Sequence, residues 1–311
     1  MGRNIEKNPF SLYDFLGHFI PGAMALIILF IIYQGFTEIK NGYFDVSKFC
    51  EISTYANFIN RISKYNIGII FISFILASYI SGTLISYLSS QTIEIFLTRT
   101  FGYPSEYLLS ASNNDDEKLW KRYFKSDNCM KIILYAAILL LLFPISLFVL
   151  FFGNKLKIRE YITRPLGKGI ISSIKKKEKL LAEKLLIKNY KDINDFHRVI
   201  MHYVYMNLDK SEVKTDNYIA LYGFFRSITL ILCLYFDFLL AMGFYSFFIP
   251  GKKIFDCYSF MFIGILGFLC FISFMAFAKF YRRFTLENYM MLLSDTTIIE
   301  KERKIITDDY E

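Results

Sequence analysis

Apolar and polar residues in this chain alternate in long blocks. Five blocks of 18–22 residues, at 19–36, 67–88, 132–152, 227–248 and 258–277, contain no Lys, Arg or Glu, and only one contains an Asp. A helix needs ~20 apolar residues to cross the hydrocarbon of a bilayer. The pattern predicts five helices of that length and an all-α, polytopic membrane fold of four to five transmembrane helices with a small cytoplasmic helical subdomain. It divides the chain into an N-terminal membrane region (1–153), a connector (154–216), a C-terminal membrane hairpin (217–278) and a tail (279–311). The last apolar stretch before the hairpin turn, 217–248, has 32 residues. At the helical rise it measures about 48 Å, against about 30 Å of hydrocarbon, so it extends beyond the membrane.

Small residues mark faces within the blocks. Ser78, Gly82, Ser86 and Ser90 recur every four residues, with Ser81 and Ser89 widening the stripe. Gly264, Gly267, Cys270, Ser273 and Ala276 recur every three. Such stripes let another helix approach closely, within the chain or from a second subunit, and the serine stripe also fits a water-lined path. Proline interrupts two blocks. Pro21-Gly22 predicts a bend near the start of the first, read as a packing kink or a hinge. Pro144 interrupts the third, which then either crosses fully or turns back.

Outside the blocks, Ser11 followed by Asp14 predicts a helix starting at Leu12, with Phe10 and Phe15 as a staple. Ser105 is a candidate cap for a short helix after Gly102-Tyr103-Pro104. Leu119, Trp120, Tyr123 and Phe124 form an interfacial apolar face, preceded by Asp115-Asp116-Glu117. In the connector, apolar spacing predicts helices near 170–188 and 192–207, joined near Asn189-Tyr190. Lys175, Lys176 and Lys177 sit on the first, as a solvated face, a contact for anionic lipid or a partner, or, least favoured, a nucleotide contact.

Charge refines this picture. The net charge is +8, and the connector 154–216 alone holds 15 basic and 8 acidic residues. In a membrane protein such an excess marks the cytoplasmic face, so nucleic acid is not the expected partner. Five crossings divide Lys and Arg 26 against 10 and place the C-terminus inside and the N-terminus outside. With four, both termini lie inside.

The candidate chemistry is sparse. Asp237 lies in mid-block, where a carboxylate must be paired, protonated or hydrated; it reads as a packing group, an ion or proton site, or a pore-facing group. Arg226 stands at the edge of the same block, where it can snorkel toward headgroups. His18, His197 and His202 complete no metal set, and the five cysteines form no CxxC pair. A Cys129–Cys257 disulfide is the one pairing the topology leaves open. No phosphate loop, HExxH or nucleophile elbow occurs, so neither cofactor nor metal is expected and an enzyme is disfavoured.

Three segments carry a resemblance: Leu12-Tyr13-Asp14-Phe15-Leu16-Gly17 through Pro21-Gly22, Gly102-Tyr103-Pro104-Ser105-Glu106, and Ala220-Leu221-Tyr222-Gly223-Phe224-Phe225-Arg226. They resemble a loose group of uncharacterised bacterial multi-span membrane proteins, some found among phage-defence genes. The resemblance implies a bacterial inner membrane and a defence role, and carries over no catalytic residue. Together these readings predict a non-enzymatic, self-associating inner-membrane protein. Its cytoplasmic connector receives a signal or partner and biases the membrane bundle. The alternatives are a transporter coupled through Asp237 and a membrane scaffold for a soluble partner.

Overall fold

The structure is a computed structural model that describes residues 12–40, 66–110, 119–125, 128–153, 155–187, 196–207, 212–247 and 257–295. Among these residues there is no strand. A first turn, α1 (Leu12–Asp14), runs through a π-helical segment at Phe15–Phe19 into α2 (Ile20–Lys40). Helix α3 (Ile67–Ser89) passes through a second π-helical segment, Ser90–Glu94, into α4 (Ile95–Phe101). Short helices α5 (Pro104–Leu109) and α6 (Leu119–Tyr123) follow. Next come α7 (Cys129–Leu141), α8 (Phe143–Phe152) and α9 (Ile158–Ile162). The connector supplies α10 (Lys168–Lys184) and α11 (Phe196–Asn207). Helices α12 (Glu212–Phe247) and α13 (Cys257–Ser294) complete the described chain.

Among the described residues, four stretches are long and apolar enough to cross a membrane: Phe15–Tyr33, Ile67–Leu109, Thr215–Tyr245 and Phe260–Ser294. The block at 132–152 differs. It breaks at Leu142, and α7 and α8 meet at 105°. Proline removes an amide and crowds the preceding turn, so a helix breaks there unless its freed carbonyls find donors. Ser146 supplies one: its hydroxyl lies 2.9 Å from the Leu139 carbonyl and 3.3 Å from that of Phe143. A straight fifth crossing is therefore replaced by a bent pair.

Helix α2 lies on α3, α12 lies on α13, and α12 touches both pairs. The core gathers Ile93, Phe96 and Phe101 from the α3–α4 rod, Leu142, Ile145 and Val149 from the break, and Phe274 and Phe277 from α13. Facing outward, Phe71, Ile72, Leu76, Ile80, Leu84, Phe260 and Phe268 are exposed. Apolar faces this continuous on long helices require an apolar surrounding or a partner.

Helix α12 has 36 residues and α13 has 38, about 54 and 57 Å at the helical rise. Both outrun a hydrocarbon core, as the length of 217–248 predicts. Helices α10 and α11 pack against the far end of α13. The first begins two residues earlier than expected and ends at Lys184, and the second is described over Phe196–Asn207. Ser105 does not cap its helix. Tyr103 is the cap, Pro104 takes the first turn, and the Glu106 carboxylate accepts the Tyr103 amide at 3.3 Å. Gly102 precedes it at φ +89°, a conformation that favours glycine. Ser11, the staple residue Phe10, Asp115-Asp116-Glu117 and Asn189-Tyr190 lie outside the described residues, as does the side chain of Cys257.

Candidate functional site

A polar cluster joins the two helix pairs at Arg226. Its guanidinium is buried beneath α3 and does not snorkel. Nη1 meets the Glu94 carboxylate at 2.5 Å, and Nε donates to Ser89 Oγ at 3.2 Å. Nη2 donates to the Ser86 carbonyl at 3.3 Å, and Ser89 Oγ lies 3.5 Å from Ser227 Oγ. A buried guanidinium is tolerated only when its donors are matched in this way. The face of Tyr222 lies 6.0 Å from the guanidinium carbon.

The π-helical segment Ser90–Glu94 explains the arrangement. Ser89 rather than Ser90 continues the buried face because the step from Ser78 makes about three α-helical turns, and the extra residue of the π-helical segment then shifts the register beyond it. Ser78, Gly82, Ser86 and Ser89 are buried, whereas Ser90 is half-buried and donates to the Tyr87 carbonyl at 2.7 Å. The same shift brings Glu94 onto Arg226. Glu94 is the residue of this cluster that the sequence alone does not single out. Its one sequence signal is that it is the first acidic residue after the uncharged block 67–88.

Above this cluster, α2 and α3 touch backbone to backbone. A Cβ on Gly22 would lie 1.7 Å from the Ser78 carbonyl oxygen, and one on Gly82 would lie 1.8 Å from that of His18. Ser81 Oγ bonds the Ser78 carbonyl at 3.1 Å and reaches the Gly22 carbonyl at 3.3 Å. The turn before Pro21 is π-helical, with the Ile20 amide bonded to the Phe15 carbonyl. Pro21 and Gly22 are thus buried in a contact that leaves no room for a side chain. Tyr13 edges onto His18 at 5.1 Å and reaches toward Gly223 of α12. Parts of the first and third familiar segments therefore meet around Tyr13, Tyr222 and Arg226.

A second polar group fastens the connector to the hairpin. Lys177, within the lysine run, turns inward and donates to the Asp295 carbonyl. Lys184 Nζ donates to Tyr203 Oη at 2.9 Å, and Tyr203 Oη donates to Asp295 Oδ2 at 2.8 Å. Three elements, α10, α11 and the end of α13, are thereby clamped. Burial lowers the Lys177 pKa, and the nearby Asp295 carboxylate partly restores it. Beside it, burial raises the Glu178 pKa to about 7, opposed by the Lys175 charge. Lys175 and Lys176 remain exposed.

Asp237 is half-buried on α12 and lines a groove of about 500 Å³. The rest of that lining is apolar: Ala137, Leu140, Leu141, Phe143, Leu240, Ala241 and Phe244. The broken α7–α8 pair, with Pro144 one residue past Phe143, forms its opposite wall. Asp237 and Arg226 are not brought together. In α13, Gly267 packs against Phe236, whose ring a Cβ would meet at 3.2 Å, while nothing approaches Gly264 within 4 Å. Cys129 is exposed and free. The chain matches no protein-family model, curated protein or solved structure.

Proposed function

We propose that this is a non-enzymatic, multi-pass inner-membrane protein in which a cytoplasmic helical head biases the packing of the membrane helices. The observation that carries this reading is the clamp of Lys177, Lys184, Tyr203 and Asp295. It ties α10 and α11 to the end of a continuous 38-residue helix. A displacement of the head acts on α13 and through it on α12, where Arg226 holds the α3 rod. The head is the receiver for a signal or a soluble partner. The output is a change in membrane permeability, a role suited to a defence effector. Self-association, if it uses these stripes, runs through the open Gly264 face, because the serine stripe is filled by α2.

The charge distribution supports an orientation with four crossings. Lys and Arg then number 2 in residues 1–18, 22 in 89–226 and 6 in 278–311 on one side, against 4 in 37–66 and 2 in 249–257 on the other. That asymmetry exceeds the 26 against 10 of five crossings and puts both termini in the cytoplasm.

Liposomes carrying the full chain test the reading by potassium efflux. Glu94→Gln and Asp295→Asn are expected to change efflux several-fold in the same direction. Wild-type efflux equal to protein-free liposomes, or unchanged in both variants, contradicts it. The Asp237 groove favours a second reading, a transporter coupled to a cation. In that case Asp237→Asn abolishes dissipation of a sodium or proton gradient that the clamp variants leave intact.

A further inference from the structure

Basic residues from two distant stretches of the chain meet in one cavity. Lys157 and Arg164 stand on either side of α9, after the bent pair, and Lys279, Arg282 and Arg283 follow the apolar part of α13. They are 115 or more residues apart in the chain, yet they line a single cavity of about 770 Å³. The rest of its wall comes from Leu156, Tyr161, Ile162, Pro165, Ala278 and Glu160, the one carboxylate among the described lining residues. Glu160 lies 3.8 Å from Lys157, and both are exposed. Five cations against one carboxylate leave a strong positive excess in a concave space, where fields from convergent charges add.

The site is built, not merely charged. Arg282 Nη2 donates to the Arg164 carbonyl at 2.8 Å, which fixes the plane of the guanidinium. Its Nε is buried and has no partner among the described residues. A guanidinium fork with flanking ammonium groups matches the oxygens of a phosphate group better than a single carboxylate does. Lys157 adopts φ +54°, one of two left-handed non-glycine residues among those described. That strained turn directs the chain along the cavity rim.

We propose that this cavity binds a phosphate group, presented either by an anionic lipid at the membrane surface or by a soluble phosphate compound. Leu156 and Tyr161 on the wall are exposed apolar groups and favour the lipid source. The site does not depend on the head-to-bundle reading, since the clamp residues lie outside it. Asp295→Asn is therefore expected to leave binding unchanged.

The test uses the full chain in neutral detergent micelles, titrated separately with dioctanoyl phosphatidylglycerol, dioctanoyl phosphatidylcholine, inorganic phosphate and pyrophosphate. Thermal stabilisation and native mass spectrometry report binding. The pocket variant is Lys279→Gln/Arg283→Gln, both exposed and therefore tolerated by the fold; Arg282→Gln is the stronger second variant. Lys175→Gln/Lys176→Gln removes the same charge elsewhere. Binding of phosphatidylglycerol but not phosphatidylcholine, weakened about tenfold in the pocket variant and unchanged in the control, supports a headgroup site. The same pattern for pyrophosphate or phosphate supports a soluble source. No binding of any anion, or equal loss in pocket and control variants, overturns the proposal.

Discussion

Two helix pairs of comparable apolarity meet by opposite means. Helices α2 and α3 are joined at Gly22 and Gly82, where each glycine faces the other helix's backbone. Helices α12 and α13 are joined by rings: Phe225 stacks on Phe280 at 5.5 Å, and Tyr222 meets Tyr281 at 5.4 Å and Phe284 at 5.7 Å. The first pair sets backbone against backbone at its two glycines. The second interdigitates large side chains. A backbone contact has no rotamer with which to adapt, whereas stacked rings can shift. Burial follows: 56% of the most apolar window of Thr215–Tyr245 lies inside the protein, against 11% for Ile67–Leu109. The α3 rod is thus a peripheral element pinned at few points, and those points should be unforgiving.

Gly82→Ala tests this most severely. A methyl 1.8 Å from the His18 carbonyl cannot be accommodated without separating the helices. The expected loss is about 3 kcal/mol or more, read as lowered melting temperature and folded yield in detergent. Arg226→Met comes next, because it strands Glu94 against α12. About 2–4 kcal/mol is expected, and Glu94→Met/Arg226→Met should recover much of it, since both charges then leave together. Full additivity of the two changes would break the account of the cluster.

On the ring-packed side, Phe225→Leu should cost only about 1 kcal/mol, because neighbouring rings can close around the smaller group. The connector helices add a pH-dependent contact that the glycine pair lacks. The Glu178 pKa is raised to about 7 in the fold, so the folded state binds the extra proton between about pH 4.5 and 7. Stability from this group is present at low pH and lost as pH rises through 7. Glu178→Gln should therefore stabilise the head at pH 8, by about 1 kcal/mol after allowing for solvent screening, and lose that effect below about pH 4.5, where the carboxyl is protonated in both states. Gly264→Ala should do least, within about 0.5 kcal/mol, since nothing approaches that position. A large effect there would point to a second subunit on that face.

Much of this arrangement was legible in the chain. Hydropathy located the apolar helices, and the period-four stripe located the face of α3 that α2 covers. Pro144 marked the break between α7 and α8. What composition could not convey was register. The π-helical segment Ser90–Glu94 aims Glu94 at a residue 132 positions away. No local pattern encodes that pairing, and an uncharged-window reading stops at Leu88, six residues short of Glu94. The lysine run misled for a related reason. Helical periodicity puts Lys177 on the buried side of α10 while Lys175 and Lys176 face outward. The basic cavity left no local signal in the sequence, because its walls come from distant parts of the chain.

The central claim is that the head and the membrane bundle are mechanically one body, joined by the Asp295 clamp and the Arg226 cluster. Hydrogen exchange on the full chain in nanodiscs, comparing wild type with Asp295→Asn, tests it directly. The account predicts faster exchange at the end of α13 and in α11, and also in residues 86–94 and 222–230 around Arg226. Faster exchange confined to the head, with those distant segments unchanged, would contradict it.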